Sequence, residues 1–350
     1  MKAAIYSSYG PPEVLEIQDV EKPSIKDDDR VLIRVHNASV NVFDTLYRKG
    51  YLPTRLDNGM TKPKNHILGI DVAGTVEAIG KNVQRFKVGD LVFGSCFGSH
   101  AEYVSPRENS LSLMPKNLTF EEAAAIPCAA QTALQALRDV AQIKQGQRVL
   151  IYGASGGVGH FAVQLAKYFQ AEVTAVCSTS NLQWVKELGA DYVLDYTKED
   201  FVYNGKKYDV ILDAVGKRTF FSCLNSLTQT GVYITEHAIY PKYHPFQIMI
   251  GSLIGRKKAK IHLTKPNDRD MDFLRSLVEE KKLRPVVEKC FPLNQIVEAH
   301  RHIEIGRTKG KVVLEIKLAD WNSKCNEIYA YCSIRKLEYH DVIPQLNKLY

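Results

Sequence analysis

A glycine-rich turn in the middle of the chain has the residues needed to bind a phosphorylated ligand. The turn lies between an apolar run, residues 148–152, and an amphipathic run, residues 160–169. Glycines between a strand and a helix let the backbone approach a pyrophosphate, and the helix N-terminus offers N–H groups to the phosphates. The alternative is a glycine-rich turn without a ligand. We predict a dinucleotide site formed by Gly153, Ser155, Gly156, Gly157, Val158 and Gly159.

The residues after the next predicted strand bear on the choice of nucleotide. Residues 177–181 read Cys-Ser-Thr-Ser-Asn and contain no acid. An NAD site usually has Asp or Glu here to bind the ribose 2′-hydroxyl. The hydroxyls of Ser178 and Ser180 and the amide of Asn181 can instead donate to a 2′-phosphate, so NADPH is favoured over NADH. The other interpretation is that such side chains cap the next helix.

The first third of the chain is predicted to be β-rich. Short alternating segments are separated by turn residues, a pattern that suits a partly open barrel better than parallel α/β units. The predicted strands are 2–8, 14–20, 30–40, 72–80, 88–94 and 100–106.

Near residue 120 the pattern changes to alternating helices and strands. The Ala- and Leu-rich stretch 120–141 predicts a helix with Thr119 as its N-cap. Strands that alternate with helices predict a parallel, doubly wound sheet. The strands are 148–153, 172–177, 192–196, 208–215 and 231–236, and the helices are 159–169, 182–189 and 219–227.

Because 350 residues exceed the usual size of one core, we predict two domains, and we expect the chain after residue 266 to return to complete the first. A helix at 271–283, an extended stretch at 286–293, a helix at 295–306 and a strand at 311–316 supply the elements. We expect a first domain of residues 1–124 and 266–317, a dinucleotide-binding domain of residues 125–265, and a C-terminal extension, 318–350, without a recognisable motif.

Seven motifs occur in order along the chain: ASVNVFDTLYRKGYLP, ILGIDVAGTVEAIGKNVQRFKVGDLVFG, AAQTALQAL, GASGGVG, ELGADYVLDYTKEDF, DVILDAVG and GRTKGKVVLEI. Together they resemble the medium-chain dehydrogenase/reductase superfamily, specifically its zinc-free quinone oxidoreductase branch, over about residues 1–316. The resemblance implies an α/β fold with a Rossmann doubly wound parallel sheet inserted in a GroES-like, β-rich, partly open barrel domain. It also implies a homodimer.

The resemblance implies that no metal is bound. Zinc-dependent members carry Cys shortly before Asp in the first motif, where this chain has Asn41 followed by Asp44. In the second motif they carry His-Glu, where this chain has Ile70-Asp71. Cys128 lies near the third ligand position, but one thiolate does not hold zinc alone. We expect Cys128 to be a small buried residue.

The resemblance also implies roles for single residues at the reactive end of the cofactor. Asn41 matches the amide that lines the nicotinamide and substrate pocket, and Thr132 matches the hydroxyl beside the nicotinamide. Gly156, Gly157 and Val158 match the turn around the pyrophosphate.

At the other end of the cofactor, Ser178 and Ser180 match the ribose-phosphate contacts. Tyr196 and Arg307 resemble the tyrosine and arginine that flank the 2′-phosphate. Several relatives have lysine where this chain has Ser180, which leaves Arg307 and Lys198 as the expected cationic partners.

An electrophilic acceptor suits a site without zinc, because no Lewis acid polarises an alcohol or a ketone. In a quinone or enone, the charge that arrives with a hydride spreads onto oxygen. We predict NADPH-dependent hydride transfer to a quinone, with Asn41 positioning the acceptor. Water, Tyr47 or Tyr51 would supply the proton, and packing is the alternative role of both tyrosines.

Two other functions fit the same motifs. An enone or enal reductase shares all of them and differs in pocket shape. A protein that binds NADPH as a sensor, without turnover, is the third hypothesis, because fold does not establish chemistry.

The overall composition excludes several partners. The net charge is +7, but the densest basic cluster, 256–260, is short, so we interpret it as a solvated face and expect no nucleic acid. No apolar run approaches the length of a membrane span, so no membrane partner is expected. Seven cysteines without a CxxC pair predict neither a disulfide framework nor a cysteine-rich zinc site, which favours a cytoplasmic location.

Two further features have structural interpretations. The longest apolar run, Phe246–Gly255, predicts a buried helix or a dimer interface. His300 and His302 form an HxH pair, but a helix directs the two side chains to different faces, so we predict surface residues rather than metal ligands.

Overall fold

A computed structural model describes residues 1–236 and 257–316 of the chain. The predicted extension 318–350 and the apolar run Phe246–Gly255 lie outside the described residues. Within them, no helix has the length and apolar character that a bilayer crossing requires.

The elements change from mostly strands to alternating strands and helices along the chain. The strands are β1 Lys2–Tyr6, β2 Leu15–Asp19, β3 Val31–Val40, β4 Asp71–Ile79, β5 Leu91–Ser95, β6 Tyr103–Val104, β7 Leu111–Leu113, β8 Arg148–Tyr152, β9 Glu172–Cys177, β10 Tyr192–Asp195, β11 Tyr208–Asp213, β12 Leu227–Thr235, β13 Lys258–Ile261, β14 Val287–Pro292 and β15 Lys311–Glu315. The α-helices are α1 Val42–Lys49, α2 Leu52–Asn58, α3 Phe120–Ala124, α4 Pro127–Gln135, α5 Gly159–Tyr168, α6 Leu182–Glu187, α7 Phe220–Cys223, α8 Asp268–Glu279 and α9 Ile296–Glu304.

The middle of the chain forms a six-stranded parallel sheet. Its order is β10-β9-β8-β11-β12-β13, so the chain winds outward from β8 in one direction and then from β11 in the other. A ligand binds such a sheet outside the carboxyl ends of the strands, where the winding reverses. The predicted Rossmann fold is confirmed, and the glycine turn after β8 lies at this reversal.

A second, mixed sheet has the order β14-β15-β3-β4-β5-β7, with β6 also paired to β3. The strand β15 runs antiparallel to β3, with Val312 opposite Val40, so the last described strand pairs with an early one. Strands β1 and β2 form a separate antiparallel pair. The path from β14 to β7 stays open among the described residues, in agreement with a partly open barrel. The domain boundaries themselves stay a prediction.

The stretch predicted as one helix, 120–141, is divided. Thr119 caps α3 by accepting from the Glu122 N–H at 3.2 Å, so the predicted N-cap is confirmed. The helix α3 ends at Ala124, and α4 begins at Pro127. Proline has no N–H to donate to the preceding turn and is tolerated at the first position of a helix, so the prediction of one continuous helix is wrong.

The two sheets share one apolar core. It contains Ala73 and Phe93 of the mixed sheet, Val149 and Ile151 of the parallel sheet, and the alanines of α3 and α4 between them. The helix α8 adds Met271 to the same cluster. Because packed cores are close to crystal density, this shared cluster holds the two sheets in a fixed relation.

The strand β13 and its lysines differ from the prediction. Lys258–Ile261 pairs with β12 although its charges do not suggest a strand. The ammonium groups of Lys257 and Lys260 donate to the carbonyls of Leu224 and Val140, both at 2.6 Å. These two lysines are half-buried, so the interpretation of this cluster as a solvated face is wrong for them. Carbonyls near helix ends attract such cations.

Candidate active site

The glycine turn after β8 has the shape of a phosphate-binding loop. Gly153 has φ +83°, and a Cβ atom there would lie 2.2 Å from Val215 Cγ2. At Gly159 a Cβ atom would lie 2.1 Å from the Gly153 carbonyl oxygen. At Gly156 and Gly157 the nearest atoms would be 3.4 Å away. Gly153 and Gly159 are therefore required by the fold, whereas Gly156 and Gly157 leave a cradle that a Cβ atom would fill.

His160, in the first turn of α5, holds this loop in place and was not identified from the sequence. Its Nδ1–H donates to the Gly156 carbonyl at 3.0 Å, and its Nε2 accepts from the Val286 N–H at 3.3 Å. Burial lowers the pKa of His160 to about 4, so the imidazole is neutral near pH 7. One side chain thus connects the turn to the segment that precedes β14.

The end of β9 brings together the residues predicted for the ribose-phosphate contacts. Asn181 Nδ2 donates to Ser178 Oγ at 3.1 Å, and Ser178 Oγ lies 3.4 Å from Ser180 Oγ. The Tyr196 N–H donates to the Cys177 carbonyl at 3.1 Å, so Tyr196 follows directly on the neighbouring strand. These side chains are half-buried or exposed, so their polar groups are accessible to a ligand that binds from solvent.

The loop that contains Arg307 lies close to the same end. Arg307 is exposed. Lys309 Nζ lies 4.9 Å from the ring centroid of Trp184, and Trp184 Nε1 donates to Asn181 Oδ1 at 3.0 Å. Lys309 therefore adds a cation that sequence analysis missed, beside the residues that were expected to contact a 2′-phosphate. Lys198, the other expected cation, lies 3.9 Å from Asp195.

Asp195 is a carboxylate at this end that sequence analysis also missed. Thr179 Oγ1 donates to it at 2.5 Å and Thr197 Oγ1 at 2.7 Å, and these bonds, that of Thr179 first, hold the pKa of Asp195 below its usual value. Because both hydroxyls donate to the carboxylate, they stabilise its ionised form.

At the other end of the cleft, Asn41 belongs to a buried polar cluster. Its Nδ2 donates to Asp71 Oδ2 at 3.0 Å, and its Oδ1 accepts from Lys311 Nζ at 2.5 Å. Lys311 Nζ also lies 3.2 Å from Asp71 Oδ2. Ser39 Oγ donates to the same oxygen at 2.5 Å. The orientation of the Asn41 amide is therefore fixed by one ion pair, because Asp71 bonds its nitrogen and Lys311 bonds its oxygen.

The neighbouring elements explain why these groups meet. Asn41 is the N-cap of α1, and its backbone N–H donates to Asp44 Oδ2 at 2.7 Å in a capping box. Asp71 begins β4, and its Oδ1 accepts from the Cys128 N–H at 2.7 Å. Lys311 begins β15. Strand pairing thus brings residues from the two ends of the chain together.

Thr132 lies beside this cluster on α4. Its hydroxyl donates to the Cys128 carbonyl at 2.6 Å and lies 2.6 Å from Thr264 Oγ1, so Thr264 is the donor of that second bond. Thr264 follows β13 and had no role in the sequence analysis. Cys128 is partly rather than fully buried, and burial raises the pKa of its thiol to about 12.

The two tyrosines proposed as proton donors lie on helices next to Asn41. The Tyr47 hydroxyl donates to Asp57 Oδ2 at 2.6 Å, and burial raises its pKa above the usual value. Its ring packs against Phe43, with centroids 4.4 Å apart. Tyr51 is the N-cap residue of α2 and is half-buried. This environment favours the packing role for Tyr47.

The residues at the positions where zinc-dependent members carry ligands bond to other groups of the protein. Asn41 and Asp71 contact the Lys311 ammonium, and Cys128 contributes its backbone N–H. Residues 1–236 and 257–316 contain no group of three or more His, Cys, Asp or Glu side chains arranged to hold a metal ion.

His300 is buried rather than exposed. It is 0% exposed, its Nδ1 accepts from Arg48 Nε at 3.4 Å, and its ring meets that of His100 edge-on at 6.1 Å. The prediction of a surface residue is wrong for His300 because the apolar face of α9 packs against α1. His302 is half-buried and bonds Glu288 at 2.8 Å.

Known proteins resemble this chain over most of its length. A family model described as "Alcohol dehydrogenase GroES-like domain" matches residues 27–118, and one described as "Zinc-binding dehydrogenase" matches residues 188–314. A mitochondrial NAD(P)H oxidoreductase, RTN4IP1, of Mus musculus is 34% identical, covering 90% of this chain and 89% of its own length. The chain belongs to the medium-chain dehydrogenase/reductase superfamily, in its quinone oxidoreductase branch.

A second curated relative and a solved structure are also similar to this chain. The chloroplastic NADPH-dependent alkenal/one oxidoreductase of Arabidopsis thaliana is 33% identical and matches 90% of this chain and 79% of its own length. The structure of a quinone oxidoreductase from Coxiella burnetii aligns with a TM-score of 0.79 at 32% identity, covering 91% of this chain and 99% of that one. The quinone oxidoreductase resemblance predicted from the motifs is confirmed.

Proposed function

We propose that this protein is an NADPH-dependent, zinc-independent reductase that transfers a hydride to a quinone. The observation that carries the proposal is the open cradle at Gly156 and Gly157, at the sheet reversal and beside the Asn41 cluster. A bound reduced nicotinamide would supply the hydride. The relatives, which are named as quinone and NAD(P)H oxidoreductases, support the same chemistry.

The residues of the chain have separable tasks in this proposal. Gly156 and Gly157, with the first N–H groups of α5, would bind the pyrophosphate. Thr132 would border the nicotinamide. Asn41, held by Asp71 and Lys311, would orient the acceptor so that its carbon faces the hydride donor. The quinone takes up the hydride and one proton to form the hydroquinone, and we assign this proton to solvent rather than to Tyr47 because the Tyr47 hydroxyl donates to Asp57.

NADPH is proposed over NADH on the character of the 2′-phosphate end. Ser178, Ser180 and Asn181 offer donors, and Arg307 and Lys309 belong to a loop at this end. Asp195, a carboxylate at this end, accepts from two threonine hydroxyls. A relative named as NADPH-dependent gives independent support.

Enone or enal reduction is the second candidate, favoured by the same alkenal/one oxidoreductase. Both acceptors gain negative charge on oxygen as the hydride arrives, so the Asn41 cluster serves either one. A sensor that binds NADPH without turnover is the third.

One set of assays separates these functions. NADPH oxidation is measured with 9,10-phenanthrenequinone, 1,4-benzoquinone, but-3-en-2-one and trans-2-hexenal, each repeated with NADH. We expect the highest kcat/KM with a quinone and NADPH. Faster turnover of the enone or enal would select the second candidate, and tight NADPH binding without turnover of any acceptor would select the sensor.

The assembly and location of the enzyme are also proposals. We infer a homodimer and a cytoplasmic location, the latter from cysteine spacing without a disulfide pattern. The names of the relatives place those proteins in mitochondria or chloroplasts. Light scattering and fractionation of cells test these two points. Domain boundaries at 124/125 and 265/266 are proposed on the same footing.

A further inference from the structure

A buried ammonium group lies between the glycine turn and Asn41. Lys311 is 3% exposed, and its Nζ bonds Asn41 Oδ1 at 2.5 Å and Asp71 Oδ2 at 3.2 Å. The aliphatic part of the side chain passes the turn, because a Cβ atom on Gly157 would lie 3.4 Å from Lys311 Cδ. A positive charge is therefore fixed next to both the proposed phosphate cradle and the proposed acceptor site.

Asp71, which pairs with this ammonium, has other donors as well. Its carboxylate accepts three other bonds, from Ser39 Oγ at 2.5 Å, Asn41 Nδ2 at 3.0 Å and the Cys128 N–H at 2.7 Å. The carboxylate is thus held in place by four donors, of which only Lys311 is charged. The ammonium has three N–H groups, and two of them have acceptors among the described residues. One N–H of the ammonium remains for a ligand.

Burial increases the effect of this charge on a neighbouring oxygen. An interaction between charges is several times stronger in the protein interior than in water. Preorganised donors and charges that face a developing oxyanion are often the largest contribution to catalysis, because they do not need to reorient during the reaction. The position of Lys311 satisfies both conditions, since two hydrogen bonds hold its Nζ.

We propose that Lys311 is a positioning residue that orients the Asn41 amide and stabilises, by its positive charge, the oxygen of the acceptor that becomes negative as a hydride arrives. This inference rests on the proposed reductase function. It gives the reductase a fixed cation at the acceptor oxygen, and it adds a role in the chemistry to a lysine that the sequence motifs alone do not distinguish from other lysines.

A set of variants separates the charge from the architecture. Lys311→Met leaves Asp71 buried and unpaired, which destabilises a protein strongly. The double variant Lys311→Met with Asp71→Asn removes both charges and keeps the volumes. Lys311→Arg retains the charge. Lys289→Met is the matched control, because Lys289 is exposed and lies opposite Val312, next to Lys311, on the paired strand.

Turnover and cofactor binding are measured for each variant. We expect the double variant to lose about 100-fold in kcat with a quinone, with its Kd for NADPH changed less than about threefold. Lys311→Arg should restore at least a tenth of the wild-type kcat, and Lys289→Met should match wild type. Unchanged kcat in the double variant would overturn the proposal. A parallel loss of NADPH binding would assign Lys311 to the architecture and would overturn it as well.

A second measurement does not depend on turnover. 4-Nitrophenol, whose phenolate absorbs at longer wavelength than the phenol, is titrated with pH in the presence of NADP⁺ and each protein. We expect wild type and Lys311→Arg to bind the phenolate about tenfold more tightly than the phenol, and the double variant to show no such preference. Equal behaviour of wild type and double variant, or no binding of phenolate to wild type, contradicts the role of Lys311.

The two measurements distinguish failure of this inference from failure of the reductase function. Wild-type protein that oxidises no NADPH with any acceptor refutes the proposed function. A phenolate preference that depends on Lys311 would then still support the cation.

Discussion

The buried imidazole of His160 makes stability depend on pH in a definite direction. Burial lowers its pKa from 6.5 to about 4 in the folded protein. The unfolded chain takes up this proton near 6.5, so below that pH the unfolded state binds more protons than the folded state. The contribution to stability is therefore present above pH 6.5 and is lost as pH falls towards 4.

The two pKa values set the size of the effect. Because one pKa unit corresponds to about 1.4 kcal/mol, the complete loss is about 3 kcal/mol. Between about pH 7.5 and about pH 5, linkage gives a loss of roughly 2 kcal/mol in the free energy of unfolding from this one group. Besides the cost of burying the charge, a proton on Nε2 would remove the acceptor of the hydrogen bond from the Val286 N–H.

The assay is urea unfolding, followed by circular dichroism, of wild type and His160→Gln at both pH values. Glutamine has a donor and an acceptor but does not titrate. We expect the wild type to lose roughly 2 kcal/mol more than the variant between the two pH values. His36, whose pKa burial also lowers to about 4, is present in both proteins and cancels in the comparison. Equal pH dependence of the two proteins would refute the argument.

Four more variants test the site. Gly156→Ala should raise the Kd for NADPH at least about tenfold with little change in Tm, because its Cβ fills the cradle. Gly153→Ala should instead lower Tm by about 5 °C or more, because of backbone strain and the contact with Val215. Calorimetry measures Tm, and fluorescence titration measures the Kd for NADPH. Asn41→Ala should reduce kcat/KM for a quinone by about 100-fold while NADPH still binds, and unchanged turnover would exclude Asn41. Tyr47→Phe should change kcat/KM less than about threefold, because the Tyr47 hydroxyl donates to Asp57 rather than to the acceptor. Loss of a proton donor would reduce kcat/KM at least about 100-fold, and such a loss would restore Tyr47 as the donor.

The local parts of this structure were predictable from sequence. The glycine turn follows from its place between an apolar strand and an amphipathic helix, and Thr119 was identified as a cap from the Glu122 that completes its capping box. Such features depend on residues a few positions apart. The division of helix 120–141 was also encoded locally, in Pro127, but the alanine-rich composition outweighed it in our prediction.

The contacts that complete the site depend on tertiary structure. Lys311 is a lysine at the start of a strand, and its burial beside Asp71 follows only from the pairing of β15 with β3. His160 is a helix residue whose Nε2 accepts from the Val286 N–H, 126 positions away. The strand β13 contains Lys258 and Lys260 among its four residues, and Lys257 precedes it. The carbonyls that accept from Lys257 and Lys260 belong to distant parts of the chain.

The pairing of β15 with β3 has a consequence for how the protein is made. The bond between Asn41 and Lys311 joins residues 270 positions apart, and the Gly310 N–H donates to the Ser155 carbonyl at 2.9 Å. A ribosome exposes the early strands and the nucleotide turn long before residue 311 leaves the exit tunnel. A nascent chain therefore holds Asp71 without its cation until the last described strand arrives. With the role proposed for Lys311, we expect catalytic competence to be acquired late in synthesis, and a chain that terminates before β15 to present an incomplete centre.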